Sequence, residues 1–170
     1  INNKILIGKS NPDLDVFDIL LFSSKDIKHL NLPNVIEDIR ECAFADCKNF
    51  KSITFPKNSR LSSIGKNAFS NTAIEHFTIP SNVDKIEENV FAQCKKLKWL
   101  DFDPYSNLVS IGFHAFAGTS LESLLIPSSV EQIGEDSFKF CQKLKSVEFL
   151  GDNIYIGCNS FSFCSNLYLI

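Results

Sequence analysis

The sequence predicts a repeat solenoid, α/β or mainly β, in which short coils stack and share one core. An Ile followed five residues later by a Phe recurs along the chain, and successive Phe residues are 25, 22, 25, 22 and 23 residues apart. Self-similarity at such a period is typical of stacked repeats, because a single coil is too small to bury its own apolar side. The recurring residues are Phe44, Phe69, Phe91, Phe116, Phe138 and Phe161.

The alternating steps indicate that the repeating unit is a double coil of 47 residues. One coil has a Cys three residues after the Phe, and the other has a Thr there, as at Thr72 and Thr119. The connections FPKNSRLSSI and FDPYSNLVSI, which follow the first two Cys coils, are longer than the others. The residues of the Cys slot are Cys47, Cys94, Cys141 and Cys164.

Each coil has a strand signal before its connection. The sequence there reads apolar-x-x-apolar-x-apolar, as in Leu97, Leu100 and Phe102. This alternation predicts one short strand per coil, and stacking the coils would make a parallel sheet with strands about 4.8 Å apart. Pro or Asp-Pro ends most of these strands. The Ile-to-Phe stretches, such as IEENVF and IGEDSF, predict short helical or 3₁₀ turns on the other side.

The N-terminal part departs from the template. Residues 1–26 are predicted to form a capping segment, an atypical first coil, and residues 27–170 the solenoid proper. Counting back 22 residues from Phe44 places Phe22 in the Phe slot and Phe17 in the Ile slot.

The two chain ends suggest further features. Residues 5–7, with the sequence ILI, favour an additional first strand. The chain has no Met, and its closing residues NLYLI stop partway through a strand pattern, so we interpret it as a truncated segment of a longer protein. Leu167 and Ile170 lack a covering coil, which makes an end-to-end homodimer a candidate assembly.

Composition excludes several classes of protein. With 44% apolar residues, 22% charged residues and a net charge of -3, the chain is globular and has no basic patch that would favour nucleic acid or an anionic membrane surface. No apolar run approaches the roughly 20 residues of a membrane span. With three His and no Gly-x-Gly phosphate loop, we expect neither a metal nor a cofactor.

The six Cys residues are predicted to be mostly free thiols. Cys47, Cys94 and Cys141 occupy one slot two coils apart, so about 9 to 10 Å separates them, beyond the Cα limit of about 7 Å for a disulfide. Cys141 and Cys164 lie one coil apart, and a bridge between them stays open. Cys42 and Cys158 lie off this slot, nearer the surface.

The residues IPSNVDKIEENVFAQCKKLKWLDF and IPSSVEQIGEDSFKFCQKLKSVEF resemble the repeats of the BspA-like leucine-rich repeat proteins. The resemblance covers residues 22–170. It implies a curved solenoid with a concave parallel sheet and no enzymatic activity. Members are surface proteins of mucosal bacteria and protozoan parasites, so the resemblance also implies a cell-surface or secreted location and a protein partner such as a host-cell or matrix protein.

The outward strand positions form the candidate ligand-binding site, because alternate residues of a strand point to opposite faces. Trp99, the only Trp, falls at such a position beside an outward Leu125, and exposed large side chains of this kind can act as binding anchors. The candidate residues are His76, Thr78, Trp99, Asp101, Ser123, Leu125 and Glu148.

Two alternatives to a binding scaffold stay open. The first is a structural spacer without a ligand. The second is a hydrolase that uses Ser52, His76 and Asp101, which fall on successive strands. The sequence lacks a nucleophile elbow or oxyanion donors beside these residues, which argues against the hydrolase.

Overall fold

The computed structural model describes residues 4–13 and 15–168, which form short strands joined by turns, with no helix in that part of the chain. The strands are β1 (Ile5–Gly8), β2 (Ile19–Ser23), β3 (His29–Asn31), β4 (Asp38–Ile39), β5 (Ser52–Thr54), β6 (Ser63–Ile64), β7 (His76–Ile79), β8 (Lys85–Ile86), β9 (Trp99–Phe102), β10 (Ser110–Ile111), β11 (Ser123–Ile126), β12 (Gln132–Ile133), β13 (Ser146–Phe149) and β14 (Tyr155–Ile156). The chain is a solenoid of stacked coils, as predicted.

Apart from β1, the strands of three or four residues lie on one side of the solenoid, which we call the long-strand face (β3, β5, β7, β9, β11 and β13). They pair in parallel as β3–β5, β7–β9 and β11–β13. The pairs begin at His29, His76 and Ser123, 47 residues apart. The double coil read from the sequence is therefore also the unit of sheet pairing, and the face corresponds to the predicted parallel sheet.

Each coil contains a second strand, so the prediction of one strand per coil is wrong in this detail. The two-residue strands pair in parallel through the Ile positions, for example Ile86 with Ile111 and Ile111 with Ile133. Coils that stack in register bring the two-residue segments of neighbouring coils side by side, and their backbone groups then hydrogen-bond, except between β6 and β8, which are not paired. We call this second side the short-strand ladder (β4, β6, β8, β10, β12 and β14).

The predicted helical or 3₁₀ turns are also absent from the described residues. Two residues per coil have a left-handed backbone, two before and two after the recurring Phe, such as Asn89 with φ 57° and Gln93 with φ 60°. A left-handed residue interrupts a right-handed helix. The backbone N–H of Phe91 donates to the carbonyl of Ala115 in the next coil, 2.8 Å away, instead of to its own turn. Stacking therefore replaces helical hydrogen bonds.

The recurring Phe residues form one continuous column in the core, which confirms the main prediction. Neighbouring ring centroids lie 5.0 to 5.4 Å apart, and the ring planes differ by 14° or less. The rings from Phe44 to Phe138 are 0% exposed. Offset stacking of this kind adds to the stabilisation that burial of each ring provides.

The Thr and Cys side chains that follow the recurring Phe contact each other between neighbouring coils beside this column, as their equivalent positions in the repeat predict. Thr72 Oγ1 lies 3.3 Å from Cys94 Sγ, and Cys94 Sγ donates to the carbonyl of Phe69 at 3.0 Å. Thr119 and Cys141 repeat the contact at 3.2 Å. All six Cys residues are free thiols in the structure; the four slot residues are buried, and Cys42 and Cys158 are exposed, as expected. The small polar atoms of this slot thus satisfy one another inside the core.

The first coil confirms one expectation and corrects another. The predicted extra strand is β1, which pairs antiparallel with β2. Leu20, not Phe17, takes the Ile position, because it pairs with Ile39 of the next coil. Phe17 and Phe22 are 48% and 54% exposed, so neither joins the core columns. Pairing with β1 fixes which side of β2 faces inward, and that pairing is not visible in the repeat period.

Candidate functional site

The long-strand face places the predicted site residues in adjacent rows. His76 pairs with Trp99 and Thr78 pairs with Asp101 in the β7–β9 ladder. Trp99, the first residue of β9, is 51% exposed although its backbone is paired in the ladder. The outward direction predicted for these side chains is confirmed, while their role in binding stays a prediction.

His76 and Asp101 form a hydrogen-bonded pair across the two strands. His76 Nε2 lies 2.7 Å from Asp101 Oδ2, and both side chains are more than half exposed. Exposed pairs of this kind contribute little to stability, about 0 to 1 kcal/mol. Beside them, Lys98 Nζ lies 5.4 Å from the centroid of the Trp99 ring, within cation–π range. The row therefore combines an aromatic surface with charges of both signs.

The remaining predicted site residues lie on the next strand pair. Leu125 pairs with Glu148, and Ser123 pairs with Ser146. Leu125 is 46% exposed, on the outward side of its strand. No ladder pairing joins β9 to β11 in the described chain, so Trp99 and Leu125 lie on opposite sides of a break in the sheet.

The structure does not assemble the predicted hydrolase group. His29 Nδ1 lies 2.8 Å from Ser52 Oγ, so Ser52 is bonded to His29 and not to His76. β5 and β7, which contain Ser52 and His76, are not paired in the ladder. A nucleophilic Ser needs its hydroxyl on the base, and the described residues show no contact between Ser52 and His76, the base of the predicted group. The residues described by the structure also contain no group of three or more His, Cys, Asp or Glu arranged for a metal ion.

A cluster of charged side chains lies on the turn side of the coils, away from the long-strand face. Asp136 Oδ2 accepts hydrogen bonds from His114 Nε2 and Lys139 Nζ, both at 3.0 Å. Desolvation of Asp136 raises the pKa of its carboxyl, but the hydrogen bonds and charges of Lys139 and His114 outweigh this, and the net pKa is lowered. The backbone of Asp136 is in the left-handed region, with φ 56°, so the ion pairs lie at a strained turn.

Two clefts on the long-strand face were not predicted. The first cleft, of about 410 Å³, lies at the break between β5 and β7 and includes Phe55, Thr78 and Pro80. The second cleft, of about 360 Å³, lies at the break between β9 and β11 and includes Phe102 and Leu125. Two sequence features could have predicted both clefts: the 47-residue period and the long connections that follow β5 and β9.

Of the predicted site residues, His76 and Thr78 line the first cleft, and Asp101 and Leu125 line the second. Trp99, Ser123 and Glu148 line neither cleft. The predicted site residues therefore lie on one face, and four of them line two separate clefts of that face.

Comparison with known proteins agrees with this architecture. The family described as BspA type leucine rich repeat region matches the sequence in 6 copies, over residues 19–144 and 103–170. No curated protein matches the sequence significantly. Among the residues that the structure describes, no helix has the length and apolarity needed to cross a bilayer.

Several solved structures have the same fold. The leucine rich repeat protein TpLRR of T. pallidum superposes with a TM-score of 0.81 at 23% identity, covering 99% of this chain and 90% of that protein. The pneumococcal vaccine antigen PcpA superposes with a TM-score of 0.66 at 22% identity, covering 84% and 50%. A leucine rich cell surface protein from Faecalibacterium prausnitzii A2-165 gives 0.58 at 20% identity, covering 79% and 43%.

The present chain thus matches half the length of the pneumococcal antigen and less than half that of the Faecalibacterium protein. At such identities the similarity concerns the fold. Two of the three matched proteins are described as a vaccine antigen and a cell surface protein.

Proposed function

The chain belongs to the BspA-type leucine-rich repeat family, and from that premise we propose that it is a non-enzymatic recognition scaffold, the repeat domain of an adhesin-like cell-surface protein. Its partner is a protein of the host-cell surface or the extracellular matrix. The long-strand face is the surface that binds this partner. The half-exposed Trp99, between His76 and the break in the sheet, is the observation that carries the proposal.

The chemistry of the face supports protein recognition. Tyr, Trp and Arg dominate the energetics of protein interfaces, and an anchor is most effective where polar groups surround it. Around Trp99 the face offers the His76–Asp101 pair and the ammonium group of Lys98. All three side chains project from a backbone that is already ordered by ladder pairing, so binding would cost little conformational entropy.

The experiment that tests this function is a binding screen of the chain against purified matrix and mucosal surface proteins, with Trp99→Ala as the critical variant. Tyr155→Ala is the matched control, because Tyr155 is 66% exposed but lies on the short-strand ladder. We expect Trp99→Ala to weaken binding about tenfold or more, a typical loss for an interface anchor, and Tyr155→Ala to leave it unchanged.

Equal affinity of the wild type and Trp99→Ala for every bound protein would contradict the proposed anchor. No binding at all would favour the alternative, a structural spacer. Turnover of an ester or peptide substrate that is lost in Ser52→Ala would instead favour the hydrolase.

We also propose end-to-end association of two copies as a candidate assembly. In the last described coil Ile156 is 44% exposed, and Phe161 and Leu167 are only partly buried against the core. Ile170, the other residue of this prediction, lies outside the described residues. The mass from light scattering tests the assembly: Ile156→Asp should convert a dimer into a monomer, and a monomeric wild type would contradict it.

A further inference from the structure

The two clefts of the long-strand face are copies of each other. Except for His76, each lining position of the first cleft recurs 47 residues later in the second, so that Phe55 corresponds to Phe102 and Pro80 to Pro127. Both form where a strand pair ends. The starts of β5 and β7 are joined by one bond from Glu75 N to the carbonyl of Lys51, 3.3 Å long, and no ladder pairing follows. A long connection follows the second strand of each of these pairs.

The copies differ in chemistry at the positions that face the opening. Thr78 of the first cleft corresponds to Leu125 of the second, and Asp103 corresponds to Leu150. Leu125 and Leu150 are 46% and 54% exposed. The second cleft therefore presents two apolar side chains to solvent where its copy presents polar ones. The fold does not require apolar side chains at these two positions, because the first cleft forms with polar side chains there.

The second cleft also contains a buried hydroxyl that has no partner. Ser129 Oγ and Asp136 Oδ1 are the two buried side-chain oxygens in the described part of the chain that make no hydrogen bond. Ser129 corresponds to Asn82 near the first cleft, whose side-chain amide donates to the carbonyl of Ser59 at 3.1 Å. The shorter Ser side chain leaves this interaction unmade. Buried polar groups are seldom left unpaired, so this hydroxyl is a further chemical difference between the two clefts.

The charge of the second cleft restricts the kind of ligand. Asp101 and Asp103 line it, and no Lys, Arg or His is among its lining residues. One oxygen of Asp101 is bonded to His76, and Asp103 Oδ1 accepts the backbone N–H of Tyr105 at 2.9 Å. These hydrogen bonds hold the two carboxylates in place. Their negative charge favours a ligand that carries a cationic group next to the apolar group in the cleft.

We propose that the second cleft binds an extended peptide segment of the protein partner, with a large apolar side chain inserted between Leu125 and Leu150 and a Lys or Arg side chain on Asp101 and Asp103. Extended peptides that add to an exposed sheet edge are recognised by a similar division, with the backbone contributing affinity and pockets for side chains contributing specificity. The inference rests on the proposed function and assigns part of the partner's chemistry.

The internal repeat supplies the variants that test this site. Leu125→Thr and Leu150→Asp each install the residue that the first cleft already has at the same position, so the fold is expected to tolerate both. A random peptide library displayed on phage is selected against the wild-type chain. Synthetic copies of the enriched peptides are then titrated against the wild type, both variants and Trp99→Ala.

We expect the enriched peptides to share a large apolar residue with Lys or Arg nearby. Either cleft variant should weaken their binding about tenfold or more, because the apolar contact of one leucine is lost. Their binding should also weaken as salt concentration rises. The inference is overturned if no peptide is enriched, if the enriched peptides are acidic, or if neither variant changes their affinity.

The outcome separates this inference from the proposed function. A protein ligand that depends on Trp99, combined with peptides that ignore Leu125→Thr, would overturn the cleft and leave the recognition scaffold intact. Peptides that depend on Leu125, combined with no protein ligand sensitive to Trp99→Ala, would support the cleft and contradict the anchor.

Discussion

The rings of Phe69 and Phe91 stack in the core with centroids 5.4 Å apart and planes 6° apart, although 22 residues separate them in the chain. Phe116 stacks on the other side of Phe91 at 5.2 Å. A ring in the middle of this column contacts both neighbouring coils, so its removal leaves a cavity that neither coil can fill by itself. The column is therefore the element that ties the coils into one cooperative unit.

We predict that Phe91→Ala lowers the free energy of unfolding by about 3 to 5 kcal/mol, the usual cost of truncating a buried Phe. Phe163→Ala is the control, because Phe163 is 65% exposed and contacts another aromatic ring only at the surface. Its effect should stay within about 0.5 kcal/mol. Chemical denaturation followed by circular dichroism measures both. Equal losses for the two variants would mean that the column does not connect the coils.

The sequence predicts this column because each coil has a single slot that only a large apolar ring fills. Ile86 and Phe91, five residues apart, are repeated closely enough to be aligned by eye. The same spacing is misleading at Phe17 and Phe22, which are exposed, because β1 determines which residues of β2 face inward. The spacing of two residues does not indicate which other strand will pair with the strand that contains them.

The short-strand ladder and the clefts illustrate the same limit. Lys85 and Ile86 are too few to produce an alternation, and their strand exists only because Ile111 lies beside them in the next coil. The outward direction of Trp99 and Leu125 follows from alternation within one strand. The cleft beside Leu125 depends instead on where the ladder stops pairing, which is a property of two coils and the connection between them.

The left-handed turn positions lead to a prediction about stability. Cys42, Asn67 and Asn89 occupy the same position of successive coils, with φ between 57° and 59°. Asn tolerates this conformation better than Cys, because its side chain can hydrogen-bond the local backbone. We therefore expect Cys42→Asn to raise the free energy of unfolding by about 0.5 to 1 kcal/mol.

The reciprocal change Asn67→Cys should lower the free energy of unfolding by a similar amount. Denaturant titration of the two single variants and of the double variant measures both effects. A loss of stability in Cys42→Asn would indicate that Cys42 makes a contact more important than its backbone strain.

The two classes of Cys residue should differ in reactivity. Cys42 and Cys158 are exposed, whereas Cys94 is 0% exposed and its burial raises the pKa of its thiol to about 11. Because the thiolate is the reactive form, alkylation of the native chain at pH 8 should modify Cys42 and Cys158 and spare Cys47, Cys94 and Cys141.

Mass spectrometry of the alkylated chain counts the modified residues, and unfolding in denaturant before alkylation should make all six reactive. A mass that stays two alkyl groups short after unfolding without reductant would reveal a disulfide. Rapid alkylation of Cys94 in the native chain would show that the core of the solenoid opens readily.

The ion pairs of Asp136 give the chain a dependence on acid pH. The pKa of the Asp136 carboxyl is lowered in the folded state by Lys139 and His114, so the charged form is favoured by folding. Such a group contributes stability above its unfolded pKa, and that contribution is lost as the pH falls through the lower, folded pKa. We expect Asp136→Asn to melt at a lower temperature than the wild type at pH 7, and the difference to disappear as the pH falls below about 4.

Asn is the suitable replacement because Asn67, Asn89 and Asn159 have the same left-handed turn position in other coils. The backbone strain is therefore retained while the charge is removed. Repeating the substitution in a chain that already carries His114→Asn and Lys139→Gln is the control, since both partners of the carboxylate are then absent. In that background Asp136→Asn should no longer lower the melting temperature at pH 7. A persistent difference there, or one that is independent of pH in the parent chain, would mean that Asp136 acts through the turn and not through its charge.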